Sequence, residues 1–191
     1  EMIARIVADP AYAATLPGRP NVPEPWVLGS SPDSVAFAAD LGLPYCLADF
    51  IAPRLGELAA QYRDRFIPRN PGDKPRLMVA VWTVCAETDE AALRLAAPAR
   101  MMFAHLLMDK SISVPPPDVA LAWLADRPDV AKAFANRRVV AGSPATVRAG
   151  LEQVIKEYAP DELMLVNILH GHEDRKRSYT LAMDAMTPVA A

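Results

Sequence analysis

The segment Leu77–Cys85 limits the possible folds more than any other part of the sequence. It reads LMVAVWTVC, so apolar side chains occupy odd and even positions alike. Because successive side chains of a strand point to opposite faces, such a strand is buried on both faces, which is typical of a parallel sheet covered by helices. The apolar run Leu77–Ala86 is also far shorter than the roughly 20 residues that span a bilayer. It therefore predicts a buried strand and no membrane anchor.

The other apolar segments alternate with segments of helical periodicity. Strands are predicted near Trp26, Tyr45, Val79 and Leu165, the last as a buried strand over Leu163–Leu169. Helices are predicted over Pro32–Leu41, along a stripe from Leu55 to Phe66, from Thr88 to about Met108, after Gly142-Ser143-Pro144, and from about Glu173 to Met186. Strands that alternate with helices in this way predict an α/β fold of four consecutive parallel β/α units with right-handed crossovers.

Chain length decides how such units can be arranged. A closed (β/α)8 barrel takes about 250 residues, and an open doubly wound sheet is the alternative. Four units in 191 residues amount to half a barrel, and its two sheet edges must be paired or covered. We expect one domain over residues 26–191, with a helical insertion at about 111–136 outside the sheet.

The N-terminal region differs from the rest. Residues 1–25 are expected to hold the end of a preceding helix, Glu1–Val7, followed by a proline-rich connector, Pro10–Pro25. The sequence begins with Glu1 and not with Met. We therefore expect this chain to be a piece of a longer one.

Charge and cysteine usage exclude several classes of protein. The chain has 20 Lys and Arg against 23 Asp and Glu, a net charge of -3, so its overall field does not favour nucleic acid. Cys46 and Cys85 both lie in apolar, strand-like segments, and no signal peptide is visible. Two buried, reduced thiols and a cytoplasmic location are expected, and two cysteines cannot form a disulfide framework.

Four stretches of the chain resemble one enzyme family. Pro25–Phe50, PWVLGSSPDSVAFAADLGLPYCLADF, resembles the fifth-strand to sixth-strand region of the luciferase-like flavin-dependent monooxygenases. Arg76–Phe103 resembles the seventh strand and following helix of that family, and Val139–Val154 and Asp161–His170 resemble its last helix and eighth strand. The resemblance implies the C-terminal half of a TIM-type (β/α)8 barrel, with no counterpart of the first four strands.

The resemblance also implies a cofactor and a reaction. Members of the family use reduced flavin mononucleotide (FMN) and oxygen to oxidise a small organic substrate. By the same resemblance, Gly29, Ser30, Ser31 and Ser34 would contact the FMN phosphate. The local chemistry agrees, because helix N-terminal N–H groups attract anions and hydroxyls add hydrogen bonds. An ordinary helix cap, with Ser31 as N-cap and Pro32 at the first helical position, explains the same residues equally well.

Two other places carry residues of interest. Gly142-Ser143-Pro144 repeats the serine-proline helix start, but it does not follow a predicted strand, and we interpret it mainly as a cap. His170 follows the last predicted strand and is the candidate for the substrate pocket, because barrel enzymes place their chemistry at the C-terminal ends of strands. The pattern His170-x-His172 with Glu173 and Asp174 is a weak metal signal, and a solvated helix start explains it better. No metal site is predicted.

These patterns leave two hypotheses for function. The first is that the chain is part of an FMN-dependent monooxygenase and that activity of the chain alone is doubtful. A missing N-terminal half or a second chain would then cover its sheet edges, and a homo-oligomer is expected. Its partners would be the flavin and a small organic substrate, with neither nucleic acid nor a membrane. The alternative is a non-catalytic α/β module that binds an anion at a helix N-terminus or assembles through exposed sheet edges.

Overall fold

A computed structural model of the chain describes residues 24–52, 55–130 and 138–187. The predicted helix end at Glu1–Val7 and nearly all of the predicted connector lie outside these residues. The elements in chain order are β1 Val27–Gly29, α1 Pro32–Asp40, β2 Tyr45–Ala48, α2 Gly56–Arg65, β3 Leu77–Cys85, α3 Asp89–Leu106, α4 Pro117–Ala125, β4 Val140–Gly142, α5 Pro144–Tyr158, β5 Glu162–Val166 and α6 His172–Met186. None of the helices within the described ranges is long and apolar enough to cross a membrane.

The chain divides into two compact units. Of the described residues, the first contains 24–48, Leu55–Val79 and Pro160–Glu162. The second contains 49–52, 80–130, 138–159 and 163–187. β3 contributes its first residues to the first unit and its remaining residues to the second.

In the first unit, β1 and β2 pair in parallel and β2 is followed in the sheet by β3. The register places Val27 opposite Tyr45 and Gly29 opposite Leu47. Helix α1 begins where the sequence predicted, with Ser31 as N-cap and a proline in the first turn, and it buries its small apolar face. Strand, turn and helix therefore form the β/α unit that the sequence predicted.

The core of the first unit contains two tyrosines whose rings are in contact. The rings of Tyr45 and Tyr62 lie 5.4 Å apart between centroids, and both residues are fully buried. The Tyr62 hydroxyl donates to the carbonyl oxygen of Leu43 at 2.9 Å. Burial raises the pKa of Tyr62 to about 12. These neutral, hydrogen-bonded phenols fill the space between α1, α2 and the strands without leaving a buried polar group unsatisfied.

In the second unit, a strand that the sequence did not predict pairs with β3. β4, at Val140–Gly142, pairs with β3 in parallel and places Thr83 opposite Val140 and Cys85 opposite Gly142. β5 also pairs with β3, which makes five strands in the described part of the chain. The prediction of four strands was wrong because β4 has only three residues, too few to show either strand alternation or a long apolar run.

The core of the second unit lies between β3 and α3. Trp82 is fully buried, and its ring packs against that of Phe103 at an angle of 58°, with 5.4 Å between the centroids. The alanines of one helix face complete the cluster around Trp82 and Val84, at positions Ala92, Ala96 and Ala99. Small side chains let the helix approach the strand closely. Helix α3 begins as predicted, because Thr88 Oγ1 accepts from the N–H of Ala91 at 3.1 Å.

β5 differs from its prediction as a fully buried strand. It covers Glu162–Val166, and every one of its residues is exposed or only half-buried. The side chain of Met164 is 45% exposed. The segment is apolar, as its sequence shows, but the described residues cover only part of the strand.

A buried charge cluster in the second unit holds together segments that are distant in sequence. The Tyr158 hydroxyl donates to Asp49 Oδ1 at 2.5 Å, and Arg138 Nη1 lies 3.6 Å from the same oxygen. Arg138 also donates to Glu157 Oε2 at 2.5 Å. Because the Asp49 side chain is fully buried, its charge depends on these partners.

Replacement of Asp49 by Ala is expected to lower the free energy of unfolding by about 1–3 kcal/mol, because it removes the acceptor of the buried Tyr158 hydroxyl and leaves Arg138 with Glu157 as its remaining carboxylate. Urea unfolding of the full chain measures this change. Asp64→Ala, at an exposed carboxylate of α2, is the matched control and should change stability by less than about 0.5 kcal/mol. Equal effects of the two substitutions would contradict the role assigned to Asp49.

Candidate functional site

The turn that follows β1 is tightly packed around Gly29. A Cβ atom at this position would lie 2.2 Å from Ser34 Oγ and 2.4 Å from Ser34 Cβ. No side chain fits in that space. Position 29 must therefore be glycine, because Ser34, one turn into α1, lies against it.

Ser31 and Ser34 form a capping box at the start of α1. Ser31 Oγ accepts from the N–H of Ser34 at 3.3 Å, and Ser34 Oγ accepts from the N–H of Ser31 at 3.2 Å. The helix-cap interpretation of Ser31 and Pro32 is thus confirmed. Two of the backbone donors that could bind an anion are already satisfied inside the turn.

The Ser34 hydroxyl is also engaged with its neighbours. Ser34 Oγ donates to the carbonyl oxygen of Ser31 at 2.8 Å and lies 3.0 Å from the hydroxyl oxygen of Tyr45. Because Ser34 Oγ donates its proton to the Ser31 carbonyl oxygen, it accepts a hydrogen bond from the Tyr45 hydroxyl. Ser34 therefore fixes the shape of the turn.

The remaining donors of the turn are compatible with a phosphate. Ser30 is half-buried, and its hydroxyl makes no hydrogen bond to any residue that the structure describes. The N–H of Asp33, at the second helical position, has no acceptor within the helix, and Pro32 has no N–H. A hydroxyl and an N–H at the positive end of a helix suit a phosphate group.

The second serine-proline helix start follows a strand after all, which corrects our expectation. Gly142 ends β4 and Ser143 is the N-cap of α5. Ser143 Oγ donates to Thr146 Oγ1 at 3.2 Å and does not cap the backbone. Instead, the N–H of Ser143 donates to Asp89 Oδ1 at 2.6 Å.

Asp89 therefore fills the anion position of this helix start. A Cβ on Gly142 would lie 2.7 Å from Asp89 Oδ1 and 2.5 Å from Thr146 Cγ2, so the space is closed by protein atoms. The N–H of Ser143 lowers the pKa of Asp89, and hydrogen bonds from Thr146 and Ser143 lower it further. Asp89 lies in the first turn of α3, and no local sequence pattern could reveal its contact with a residue so far along the chain.

We expect Asp89→Asn to reduce stability at neutral pH and to have little effect in acid. The pKa of Asp89 is lower in the folded chain than its ordinary value of 3.8, so its contribution is complete above that value and disappears as the pH falls through the folded pKa. Unfolding measured from pH 7 down to pH 2, below the ordinary pKa of an aspartate, gives the difference between wild type and variant. Glu90→Gln, in the same helical turn, is the control, and a pH-independent effect of Asp89→Asn would contradict this account.

The histidines lie in three different environments. His170 is exposed, and its Nδ1 lies 2.8 Å from the carbonyl oxygen of Val114. Arg175 Nη2 donates to Nδ1 of His172 at 3.0 Å. His105 stacks on Trp123 with 4.8 Å between ring centroids and is a packed helix residue. Within the described ranges, no three or more His, Cys, Asp or Glu side chains are grouped to hold a metal ion.

The two thiols are buried, as predicted. Cys46 and Cys85 are both free of disulfide bonds. Burial raises the pKa of each thiol to about 11. Because the thiolate is the reactive form of cysteine, neither residue is suited to nucleophilic or redox chemistry.

Comparison with known proteins agrees with this architecture. Residues 5–161 match the model of the luciferase-like monooxygenase family. The chain belongs to this family. It is 34% identical over 173 residues to the uncharacterised protein YwcH of Bacillus subtilis, a match that covers 86% of this chain and 50% of YwcH. It is 32% identical over 163 residues to a luciferase-like monooxygenase of Escherichia coli K12, covering 83% of this chain and 48% of that protein.

Solved structures show the same fold. The crystal structure of apo-MsnO8 superimposes with a TM-score of 0.80 at 34% identity, covering 97% of this chain and 58% of MsnO8. The FMN complex of the oxygenating constituent of 3,6-diketocamphane monooxygenase from Pseudomonas putida superimposes with a TM-score of 0.57 at 18% identity, over 87% of this chain and 47% of that one. The predicted α/β class, as part of a TIM-type barrel of this family, is confirmed. The chain spans about half the length of the curated relatives it matches.

Proposed function

We propose that this chain is part of a flavin-dependent monooxygenase that uses reduced FMN and oxygen to oxidise a small organic substrate. Membership of the luciferase-like monooxygenase family supports the class of reaction. The observation that supports a flavin phosphate on this chain is the Ser30 hydroxyl at the turn between β1 and α1, which no described residue engages. When bound, the flavin supplies the oxygen chemistry, and the protein supplies binding and orientation.

Some residues of the turn would bind the phosphate, and others would hold the turn in shape. The Ser30 hydroxyl and the N–H of Asp33 would donate to the phosphate. Ser31, fixed by its capping box with Ser34, would keep the turn in shape and present the positive end of α1. Each favourable contact with a helix N-terminus contributes about 0.3–1 kcal/mol and each hydrogen bond about 1 kcal/mol. About 4 kcal/mol corresponds to a Kd of roughly 1 mM, so we expect weak binding by this turn alone.

The partly uncovered strand β5 supports a partner for this chain. Met164 is 45% exposed on a strand whose sequence is typical of full burial. Relatives are about twice as long as the matched region. We propose that a complementary half-barrel, on the same polypeptide or on another, covers β5 and completes the substrate site, with His170 in the pocket. We also propose a homo-oligomer in the cytoplasm.

Titration with FMN tests the phosphate site. Ser30→Ala should weaken FMN binding to the full chain by at least about fivefold, which corresponds to roughly 1 kcal/mol for one lost hydrogen bond. Ser143→Ala, at the helix start that Asp89 already occupies, should leave FMN binding unchanged. If Ser143→Ala loses FMN and Ser30→Ala retains it, the phosphate has been assigned to the wrong helix.

Activity should depend on the complementary half. Placing a flavin against its substrate needs contacts from more than one segment, and small misplacements are costly in rate. We expect no useful flavin-dependent oxidation by the 191-residue chain, and measurable oxidation when a complementary half is supplied. A chain that binds no FMN with or without that half would favour the alternative of a non-catalytic α/β module.

A further inference from the structure

A cleft in the first unit lies at the amino ends of three neighbouring strands. Its lining includes Glu24, Pro44 and Arg76, which precede β1, β2 and β3. The strand starts are adjacent, because the N–H of Val27 donates to the carbonyl oxygen of Pro44 at 3.0 Å. The N–H of Tyr45 in turn donates to that of Arg76 at 3.0 Å. This amino-end cleft is therefore at the opposite end of β1 from the turn proposed for the flavin phosphate.

The amino-end cleft is large enough for a small molecule and has a fixed wall. Its volume is about 370 Å³, within the range of roughly 300–1,000 Å³ that is typical of ligand sites. One wall is a tight turn over 70–73, in which the N–H of Asp73 donates to the carbonyl oxygen of Asn70 at 3.1 Å. Gly72 has a φ of +96° there, as the third position of such a turn after a proline requires.

The carboxylates that line the amino-end cleft are already engaged. Both oxygens of Glu24 accept from Arg76 Nη1, at 2.8 and 2.9 Å. Asp73 Oδ2 accepts from the backbone N–H of Asn70 at 2.9 Å and from its side-chain amide at 3.1 Å. These bonds balance the charge of Glu24 and commit Asp73 to the shape of the turn.

Two cations of the amino-end cleft have no such partner. Arg69 and Lys74 are exposed, and neither side chain forms an ion pair or a hydrogen bond with a residue in the described ranges. A Cβ on Gly42 would lie 2.7 Å from Arg69 Cγ, so the stem of Arg69 packs on this glycine. Pro44 and the half-buried ring of Phe66 supply apolar surface to the same cleft.

We propose that the amino-end cleft binds a small organic anion, namely a carboxylate or phosphate group attached to an apolar body. Arg69 and Lys74 hold the anionic group, and Pro44 and Phe66 contact the body. A guanidinium donates two parallel hydrogen bonds to such a group, and an ammonium adds a point charge. Barrel enzymes place their chemistry at the carboxyl ends of the strands. This ligand is therefore separate from the flavin and its substrate, and the proposal goes beyond the proposed function.

Benzoate is the probe, because it joins a carboxylate to an apolar ring, and benzamide is the matched molecule without the charge. In the full chain, benzoate should shift the backbone amide NMR signals of Gly42 and Gly72 in a saturable way. Benzamide should bind at least about tenfold more weakly. Added salt should weaken the binding of benzoate, because exposed charges are screened.

Phenyl phosphate in the same titration distinguishes the two anionic groups. Saturable binding of either anion supports the proposal, and the tighter of the two identifies the group that the cleft prefers. If neither anion binds, or if benzamide binds as tightly as benzoate, the proposal is wrong.

Substitutions of the two cations test the assignment to residues. Arg69→Gln keeps the Cγ that packs on Gly42 and removes the charge, and Lys74→Gln removes the other charge. Each should weaken benzoate binding by at least about fivefold. Lys110→Gln, at an exposed lysine that does not line the amino-end cleft, is the matched control and should bind benzoate like the wild type. Unchanged benzoate affinity in both cleft variants would overturn the proposal.

Ser30→Ala separates this site from the one proposed for FMN. It should leave benzoate binding unchanged, because Ser30 follows the carboxyl end of β1 through Gly29. If Ser30→Ala loses benzoate and Arg69→Gln retains it, the anion binds at the flavin turn and the amino-end cleft has been assigned wrongly. Failure of the FMN titration would leave the benzoate result unaffected, so the two proposals are tested separately.

Discussion

The burial of β3 on both faces is the constraint on which the rest of the structure depends. All of its side chains except Met78 are buried. Burying them requires protein on each side, and the alternation of strands with helices provides it in the form of β/α units. In the second unit the alanine face of α3 lies on Trp82 and Val84. The extended apolar run thus explains why the flanking segments must fold as helices with small apolar faces.

The sequence predicted those features that arise from local patterns, and it missed those that arise from contacts at long range. The start of α1 at Ser31 and of α3 at Thr88 could be read from cap residues, and the burial of Trp82 from its place in an apolar run. β4 was missed because it is defined by its pairing with β3 and not by its own three residues. The exposure of β5 was missed because its composition is that of a buried strand.

The same distinction applies to the two serine-proline helix starts. Their local sequences have the same chemistry, and both begin helices beside short strands. What separates them is Asp89, whose carboxylate accepts from the N–H of Ser143. An internal anion satisfies one helix start, whereas the Ser30 hydroxyl at the other meets no partner among the described residues. Only a folded structure could show this difference, because Asp89 belongs to another helix.

The contact between Gly29 and Ser34 makes two positions behave as one in protein engineering. Any side chain at position 29 meets Ser34. A library that varies position 29 alone would therefore return glycine, and a side chain there needs a change at position 34, whose hydroxyl also contacts that of Tyr45. Redesign of this turn for any purpose would meet that coupling first.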